Sequence, residues 1–189
     1  MNIILVRHAE VMINNPSVYA HEMKQWIERY DKCDIKEKIY KNELYNIILD
    51  KKNIFFISSL QRTHDTLCLY QTFSESDYTI NKIFNEAELP YPKQSYILRL
   101  PAFFWRIILR LLWIFGYSKH SESFSDAKKR ADIASKLLLE SAKNNNSNVV
   151  LIGHGVINRL IYNRLKRKTR VVKKLSTQNL GYGILEVSK

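Results

Sequence analysis

A short apolar run at the start of the chain ends in two basic side chains. Ile3–Val6 is followed directly by Arg7 and His8. A continuous apolar run of this length is typical of a strand buried on both faces, so the basic pair is expected at the strand's carboxyl end. Ligands of open α/β sheets bind beyond the carboxyl ends of the strands. The run therefore predicts a nucleophile beside a cation that holds an oxyanion.

Two further apolar runs have the same arrangement. Ile54–Ile57 precedes Ser58, with Arg62 one helical turn further on, and Val149–Ile152 precedes His154. If the three strands are parallel neighbours, their polar residues meet in one pocket. Two guanidinium groups supply the forked donors that a phosphate dianion needs. The glycines on either side of His154 are expected to allow a tight turn and a close approach of the backbone to a ligand.

The remaining hydrophobic pattern completes an α/β chain. It predicts a helix over about 61–73, a strand over 78–84, a helix from an N-cap at Ser125 to about residue 143, a helix starting near Val156 and a strand over 183–187. The predicted inner face of the capped helix comprises Ala127, Ala134, Leu137, Leu138 and Ser141. Alternating strands and helices favour a three-layer αβα sandwich with a mainly parallel central sheet.

Two segments outside this pattern are expected around the pocket. Residues 14–52 are rich in charged and aromatic side chains and predict two helices that flank the pocket mouth. Residues 97–117 form an apolar stretch close to the length of a membrane span. Arg99, Arg106 and Arg110 interrupt this stretch, which argues against spanning.

The helix predicted within 97–117 has two interpretations. One apolar face comprises Phe104, Ile107, Ile108, Leu111, Leu112 and Phe115, whereas Trp105, Leu109 and Trp113 lie on another side. Because the helix is apolar nearly all round, the pattern favours packing on the sheet, where the helix would cover the pocket. The alternative is an interfacial helix that docks on a bilayer or a partner. Its arginines would also select an anionic substrate.

Length and composition agree with one globular domain. The 189 residues, 46% of them hydrophobic, predict a single domain over 1–189 with helical insertions at about 14–52 and 90–120. Cys33 and Cys68 are isolated, which disfavours a disulfide framework and a metal site. A strand beginning at residue 2 or 3 leaves no room for a signal peptide, so a cytoplasmic protein is expected.

The net charge of +12 is unevenly distributed, since residues 159–174 contain eight Lys or Arg and no acid. Such a run is typical of a solvated surface or of contact with a polyanion. An anionic membrane surface contacted by 97–117 and 159–174 is one candidate, which would make the protein peripheral to the membrane. Nucleic acid is disfavoured because no nucleic-acid motif accompanies the charge. A positive field would also draw phosphorylated substrates to the pocket.

Four motifs together carry a resemblance to a known family. LVRHAE, SSLQRTHDT, FNEAE and IGHGVINR, beginning at residues 5, 58, 84 and 152, make the chain resemble the histidine phosphatase superfamily, also called phosphoglycerate mutase-like. The motifs span most of the chain in the family's order. The resemblance implies the phosphoglycerate mutase-like fold and a covalent phosphohistidine mechanism without a metal or another cofactor.

The resemblance also implies roles for individual residues. His8 resembles the nucleophile, and Arg7, Arg62 and His154 resemble the rest of the phosphate pocket. Asn14 falls where many members place a further phosphate contact. Ser58 is expected to bind the phosphate as well, because it follows the end of the second strand.

Elementary chemistry makes demands of its own on such a site. A histidine nucleophile must be unprotonated, so a hydrogen bond, such as one to a nearby backbone carbonyl, has to hold its other nitrogen. Arg7, Arg62 and a protonated His154 would stabilise the charge on the phosphoryl oxygens. The leaving alcohol needs a proton, which a carboxylic acid opposite the nucleophile would donate.

Two carboxylates compete for the role of general acid and base. Glu86 follows an apolar residue and any residue in FNE, as in the family's pattern, and it is the first choice. Glu88 lies two residues further on and would face the same side of an extended segment. The alternative of Glu88 stays open at this point.

The sequence departs from the family beside two reactive residues. Ala9 follows the nucleophile where the family usually has Gly, and it would strain the loop if the position needed a positive φ. Thr63 and His64 follow Arg62, where Ala is frequent in the family. Neither change removes a reacting group, so substrate preference is affected more than activity.

The sequence therefore predicts a metal-independent phosphatase that acts on phosphomonoesters through phosphorylated His8, with a phosphorylated small molecule as the first choice of substrate. A phosphoprotein is an alternative, and so is a lipid-linked phosphate if the helix within 97–117 is interfacial. One alternative is a phosphoglycerate mutase-like phosphotransferase, which shares the pocket but must exclude water from its phosphoenzyme. Another is a non-catalytic protein that binds phosphate or a membrane surface on the same fold. The specific substrate and the oligomeric state stay open.

Overall fold

The computed structural model describes residues 1–37, 43–93 and 97–188, which form a central six-stranded sheet with helices on both faces. The strands are β1 (Asn2–Arg7), β2 (Ser17–Tyr19), β3 (Ile54–Ile57), β4 (Tyr78–Ile80), β5 (Arg99–Pro101), β6 (Val149–Gly153), β7 (Arg170–Lys173) and β8 (Tyr182–Glu186). The helices are α1 (Met23–Lys32), α2 (Glu43–Leu49), α3 (Gln61–Cys68), α4 (Ala102–Ile114), α5 (Phe124–Asn145) and α6 (Gly155–Leu165).

The sheet has the strand order β4-β3-β6-β1-β8-β7. The pairs β4–β3, β3–β6 and β6–β1 are parallel, whereas β8 runs antiparallel to both β1 and β7. The carboxyl ends of β1, β3 and β6 consequently lie side by side at one edge of the sheet. This confirms the mainly parallel sheet that the alternating pattern predicts.

Each buried strand contributes side chains to two separate cores, because successive residues of a strand point to opposite faces. On β1, Ile3 and Leu5 pack with α5 and α6, whereas Ile4 and Val6 pack with α2 and α3. The molecule therefore has three layers, as predicted. Helix α2 lies with α3 in one of the two helical layers and does not flank the pocket mouth. This corrects the expectation for the second helix of 14–52.

A smaller cluster joins α1, α4 and the two-stranded sheet formed by β2 and β5. Trp26 of α1 and Trp105 and Leu109 of α4 form its buried centre. Both indole N–H groups donate to backbone carbonyls, at 3.2 Å for Trp26 and Asn14 and at 2.9 Å for Trp105 and Val18. We call this unit the cap. Residues 38–42 of the 14–52 insertion and 94–96 of the 90–120 insertion lie outside the described residues.

The side of α4 that packs differs from the expectation. Trp105, Leu109 and Trp113 are buried, whereas most of the predicted apolar face is exposed to solvent. The first part of the helix packs in the cap, where Trp105 and Leu109 fill the space beside α1, whereas Trp113 near its end belongs to the core cluster on the α5 and α6 side of the sheet. Trp113 Nε1 donates in turn to the Glu122 carbonyl at 2.6 Å.

Several other boundaries also differ from the predicted ones. Helix α3 ends at Cys68 rather than near residue 73. The backbone tightens after Cys68, because the Tyr70 amide donates to the Leu67 carbonyl. Strand β4 ends at Ile80 because the side chain of Asn81 accepts from the Ile83 amide and begins a 3-10 turn. The short strands β2, β5 and β7 carry no recognisable hydrophobic alternation and are additions to the predicted set.

Helix α5 begins two residues earlier than expected. Ser123, not Ser125, is the N-cap, and its Oγ accepts from the Asp126 amide at 3.0 Å. The buried face is Ala127, Ala131, Ala134, Ser135, Leu138 and Ala142, so the predicted Leu137 and Ser141 lie at its border. Small side chains on this face let α5 approach the sheet and α6 closely.

None of the helices in the described part of the chain is long and apolar enough to cross a membrane. Helix α4 has 13 residues and is about 20 Å long, whereas a hydrocarbon core is roughly 30 Å thick.

The capping assignment can be tested by substitution. We expect Ser123→Ala to lower the free energy of unfolding by about 1 kcal/mol, because the Asp126 amide loses its acceptor. Ser125→Ala is the matched control, since Ser125 is exposed within the first turn, and its effect should be much smaller. Urea denaturation of the three proteins measures both values, and a larger loss for Ser125→Ala would contradict the assignment.

Candidate active site

The carboxyl ends of β1, β3 and β6 bring the predicted histidines and Ser58 together. The His8 amide donates to the Gly153 carbonyl at 3.0 Å, so the two strand ends continue their pairing into the site. The rings of His8 and His154 are 5.1 Å apart between centroids, at 60° to each other. Residues separated by 146 positions in the sequence thus become neighbours through parallel pairing of β1 with β6.

One hydrogen bond determines which nitrogen of His8 is free to react. His8 Nδ1 lies 2.6 Å from the carbonyl oxygen of Ala9, and a carbonyl can only accept. The proton is therefore on Nδ1, and Nε2 carries the lone pair in the neutral ring. Burial, followed by the positive charge of Arg62, lowers the pKa of His8 from 6.5 to about 3. His8 is consequently neutral at physiological pH.

Ala9 fits the loop without strain. The described non-glycine residues with positive φ are His120, Asn146 and Leu180, so Ala9 does not have the conformation that would require Gly. Its amide donates to Thr66 Oγ1 at 2.9 Å, which holds the loop after β1 against α3.

His154 is fully buried and bonds to Ser58. The distance between His154 Nε2 and Ser58 Oγ is 2.7 Å, and Ser58 Oγ also lies 3.1 Å from Thr63 Oγ1. Burial, followed by the charge of Arg62, lowers the pKa of His154 well below its ordinary value. Burial and the charge of Arg62 therefore oppose the protonation of His154 that the sequence predicts. Ser58 and Thr63 orient this ring.

The guanidinium groups of Arg7 and Arg62 each leave one buried nitrogen without a hydrogen-bond partner among the described residues. In both cases the nitrogen is Nε, and Nδ1 of His154 is in the same situation. Arg7 Nη1 donates to the Thr177 carbonyl, and Arg62 Nη1 forms an ion pair with Asp31 at 2.6 Å. Buried donors without partners are costly, and an oxyanion between the two arginines would satisfy them.

The glycines on either side of His154 matter because they have no side chain, and not because of their backbone angles. Gly116 is the described glycine with positive φ, so neither Gly153 nor Gly155 needs that conformation. A Cβ at Gly153 would lie 2.4 Å from Asn158 Oδ1, and one at Gly155 would contact the Arg7 guanidinium at 3.5 Å. Gly153 therefore leaves room for Asn158, a correction to the tight turn expected from sequence.

Glu86 lies at the amino end of α6. Its two carboxylate oxygens accept from the amides of Val156 at 3.1 Å and Ile157 at 3.0 Å, so it faces the helix that follows His154. Glu86 and Glu88 both line the cavity in front of the strand ends, but Glu88 Oε2 accepts from the Glu122 amide at 2.9 Å and not from α6. Of the two candidates, Glu86 is the one held next to the strand ends.

Two arginines that the motifs do not contain hold the segment of Glu86 in place. Arg110 Nη2 of α4 donates to the Ala87 carbonyl at 2.9 Å, and Arg130 Nη1 of α5 donates to the Asn85 carbonyl at 2.8 Å. Arg130 also forms an ion pair with Glu122 at 2.7 Å. These contacts join the cap and the sheet at the position of the predicted acid.

A cavity of about 930 Å³ opens in front of the strand ends. Its polar lining includes Arg7, Arg62, Glu86, Arg106, Arg110 and Arg159. Its apolar lining comes mainly from α1 and α4. His8 and His154 are buried beside this lining and are not part of it.

Two predicted binding residues are placed differently from the rest. Asn14 is exposed and does not line the cavity, and its backbone carbonyl is used by the Trp26 indole. Ser58 is buried behind the cavity lining against His154. Within the described ranges, no group of three His, Cys, Asp or Glu side chains could hold a metal ion.

Sequence reasoning missed Asp31 and the loop that carries Thr177 and Asn179. Asp31 reaches Arg62 across 31 positions, and Asn179 Nδ2 donates to the His8 carbonyl at 3.0 Å across 171 positions. No local motif marks either residue, since only the folded topology brings them to the site.

Comparisons with known proteins place the fold. A scan against protein-family models and a search of curated proteins both find no match to this sequence. Solved structures do match. They include a mycobacterial glucosyl-3-phosphoglycerate phosphatase in complex with VO3, at a TM-score of 0.58 and 15% identity over 98% of this chain and 94% of that one.

Two other solved structures are similar to a comparable degree. An open reading frame product of Mycobacterium tuberculosis matches at a TM-score of 0.52 and 17% identity, over 97% of this chain and 89% of that one. The ecdysone phosphate phosphatase of Bombix mori in complex with tungstate matches at 0.55 and 10%, over 100% and 92%. The chain therefore shares the fold of these structures, a phosphoglycerate mutase-like fold.

Proposed function

We propose that the protein is a phosphatase that hydrolyses phosphomonoesters through a covalent phosphohistidine on His8, without a metal ion. The observation that carries the proposal is the state of His8. Its Nδ1 is held by the Ala9 carbonyl, its pKa is lowered to about 3, and two arginines with unpartnered Nε groups lie beside it. A neutral imidazole next to fixed cations is the arrangement that attack on a phosphate dianion requires.

In the first step, the lone pair of His8 Nε2 attacks phosphorus and the bond from phosphorus to the leaving oxygen breaks. Arg7 and Arg62 bind the equatorial oxygens, where charge is spread in the transition state. The departing alkoxide takes a proton from Glu86, which acts as the general acid. The Nδ1 proton stays hydrogen-bonded to the Ala9 carbonyl and stabilises the positive ring of the phosphoenzyme.

In the second step, water attacks the phosphohistidine. Glu86, now a carboxylate, accepts a proton from the water, the bond between nitrogen and phosphorus breaks, and His8 Nε2 regains its lone pair. His154 contributes from its buried position as a neutral hydrogen-bonding ring that Ser58 orients. The result is inorganic phosphate and the starting enzyme.

A phosphorylated small molecule is the substrate class that the comparisons support. Two of the similar structures are named for glucosyl-3-phosphoglycerate and ecdysone phosphate, which are both phosphorylated small molecules. The cavity is much larger than a phosphate ion, so a sizeable alcohol can be enclosed with it.

The covalent step is tested with an aryl phosphate. We expect 4-nitrophenyl phosphate to be hydrolysed in excess EDTA by the wild type and not by His8→Ala, because the nucleophile is lost. His64→Ala is the control, since His64 lies on α3 outside the cavity lining. Phosphate that stays on the wild-type protein after an alkaline quench and is released by acid would identify phosphohistidine. Full activity of His8→Ala would refute the proposal.

The role of Glu86 is tested through the leaving group. Glu86→Gln should slow hydrolysis of an alkyl phosphate by about 10²- to 10⁴-fold, because alkoxide departure needs the proton. Nitrophenolate departs without that help, so the aryl phosphate should lose much less in this step. Glu88→Gln is the matched control and should change neither substrate strongly. The comparison uses kcat/KM, which reports the first step alone, because the second step also uses Glu86 and is common to both substrates; an equal loss of kcat/KM on both would remove Glu86 as the acid.

The protonation state of His8 is tested by nitrogen NMR of histidine-labelled protein. We expect the ring to remain neutral, with its proton on Nδ1, down to about pH 4 in the folded protein, and to titrate at about 6.5 in urea. Since only the unfolded chain binds this proton between about pH 6.5 and 3, the free energy of unfolding should decrease as the pH falls through that window. Titration of folded His8 near its ordinary value would contradict the expectation.

A further inference from the structure

The segment 97–115 holds most of the exposed apolar surface of the described chain. Nine of the fourteen large apolar side chains that are exposed lie within it. Phe104 is 55% exposed, Leu111 52% and Phe115 86%. On a helix these three positions lie within about 40° of one another, so they form one stripe. Patches of this kind on a soluble protein mark a surface that contacts something else.

The opposite side of α4 is firmly held, so the exposed stripe is not an accident of loose packing. Trp105 and Leu109 are buried in the cap, and Trp105 donates its indole N–H to the Val18 carbonyl. Trp113 donates to the Glu122 carbonyl. A helix fixed by its inner face presents its outer face in a defined direction.

The exposed stripe continues into the cavity. Ile107 and Leu111 are each about half exposed and also line the cavity, next to Arg106 and Arg110 on the same helix. The lining also includes the apolar side chains of Trp26 and Ile27 of α1. An apolar chain could therefore pass from the outer surface of α4 to the arginines without leaving apolar contact.

Charge identifies the kind of partner. Between residues 97 and 121 there are four basic residues and no acid; Arg99 and Lys119 are exposed, whereas Arg106 and Arg110 line the cavity. A second copy of this chain would bring like charges together, whereas an anionic bilayer offers opposite charge at its surface and apolar chains beneath it. Helix α4 is too short to span a bilayer, which leaves contact in the plane of the interface.

Arg106 adds a positive charge to the cavity beside the exposed stripe. Its guanidinium lies over the Tyr30 ring, 4.9 Å from the centroid, and it has no carboxylate partner within the described part of the chain. It adds a positive charge close enough to lower the pKa of Arg7, although burial is the main cause of that shift. A phosphate that enters along α4 thus meets a cation before it reaches Arg7 and Arg62.

We propose that the outer face of α4 docks on an anionic bilayer and that the cavity takes from it a phosphomonoester whose alcohol carries an apolar tail. The phosphate reaches Arg7, Arg62 and His8, and the tail lies along Ile107 and Leu111. Hydrolysis gives inorganic phosphate and the free apolar alcohol. The proposal rests on the phosphatase function proposed above, and it names the substrate class of that site.

Docking is tested by co-sedimentation with vesicles of phosphatidylcholine alone and of an equimolar mixture with phosphatidylglycerol, which holds no phosphomonoester. The wild type should bind the mixed vesicles, and added salt should weaken the binding. The double variant Phe104→Ser with Phe115→Ser should bind at least about tenfold more weakly, because two apolar side chains no longer enter the interface. Neither residue lines the cavity, so turnover of 4-nitrophenyl phosphate should be unchanged.

The matched control is the double variant Ile80→Ser with Ile133→Ser. These side chains are 56% and 59% exposed and lie on β4 and α5, away from the cap. Vesicle binding by this control should equal that of the wild type. Equal loss in both double variants, or no binding of wild type to the mixed vesicles, would overturn the proposal. So would a wild type that dimerises in solution through residues 104 and 115.

The substrate class is tested with butyl and decyl phosphate below their aggregation limits. The longer chain should have a kcat/KM higher by about tenfold or more, since added methylenes enter apolar contact, and Leu111→Ser should reduce that preference. Equal kcat/KM for the two esters would overturn the proposal even while His8-dependent turnover persists. Absence of any His8-dependent turnover, by contrast, would refute the phosphatase function itself.

Discussion

The parallel pairing of β1 with β6 is the constraint on which the site depends. It aligns Arg7 with Gly153, so the residues that follow, His8 and His154, leave the sheet side by side. A shift of one residue would exchange the two faces of a strand and place core side chains in the wrong layer. Asn158 adds a lock, because its Nδ2 donates to the Val6 carbonyl at 2.9 Å in the space that Gly153 leaves.

Burying basic groups together has two consequences at this site. The loss of solvent, followed by the charge of Arg62, lowers the pKa of His8 and of His154 and so favours the neutral rings that the proposed mechanism needs. The same arginines have donors that no described residue satisfies. The cost of this arrangement falls when an oxyanion enters, because the anion pairs with both arginines. In the proposed mechanism, burial of the basic groups together therefore serves both the neutral nucleophile and the affinity for phosphate.

The ion pair between Asp31 and Arg62 shows how the cap enters this balance. Asp31 belongs to α1, whereas Arg62 lies in the first turn of α3 beside the sheet. The carboxylate neutralises part of the charge at Arg62 and leaves its Nε unpartnered. Part of the positive charge of Arg62 therefore stays uncompensated. The position of α1 determines how much of that charge is available to an entering phosphate.

The parts of the site that could be predicted are those encoded locally. Apolar runs that end in polar residues gave the three central strands, and their parallel order followed from the intervening helices. Other features depend on which side of a helix finds a partner. Helix α4 is apolar nearly all round, so periodicity could not tell that Trp105 and Leu109 face inward while Phe104 faces solvent. The predicted N-cap residue of α5 was wrong because Ser123 and Ser125 are equally suitable by type, and only the bond from the Asp126 amide distinguishes them. Asp31, Arg110 and Asn179 act on the site from elements far away in sequence, where no spacing rule applies. The proposed chemistry therefore rests on short motifs at strand ends, whereas the cap that lines the cavity is packed by contacts that only the fold creates.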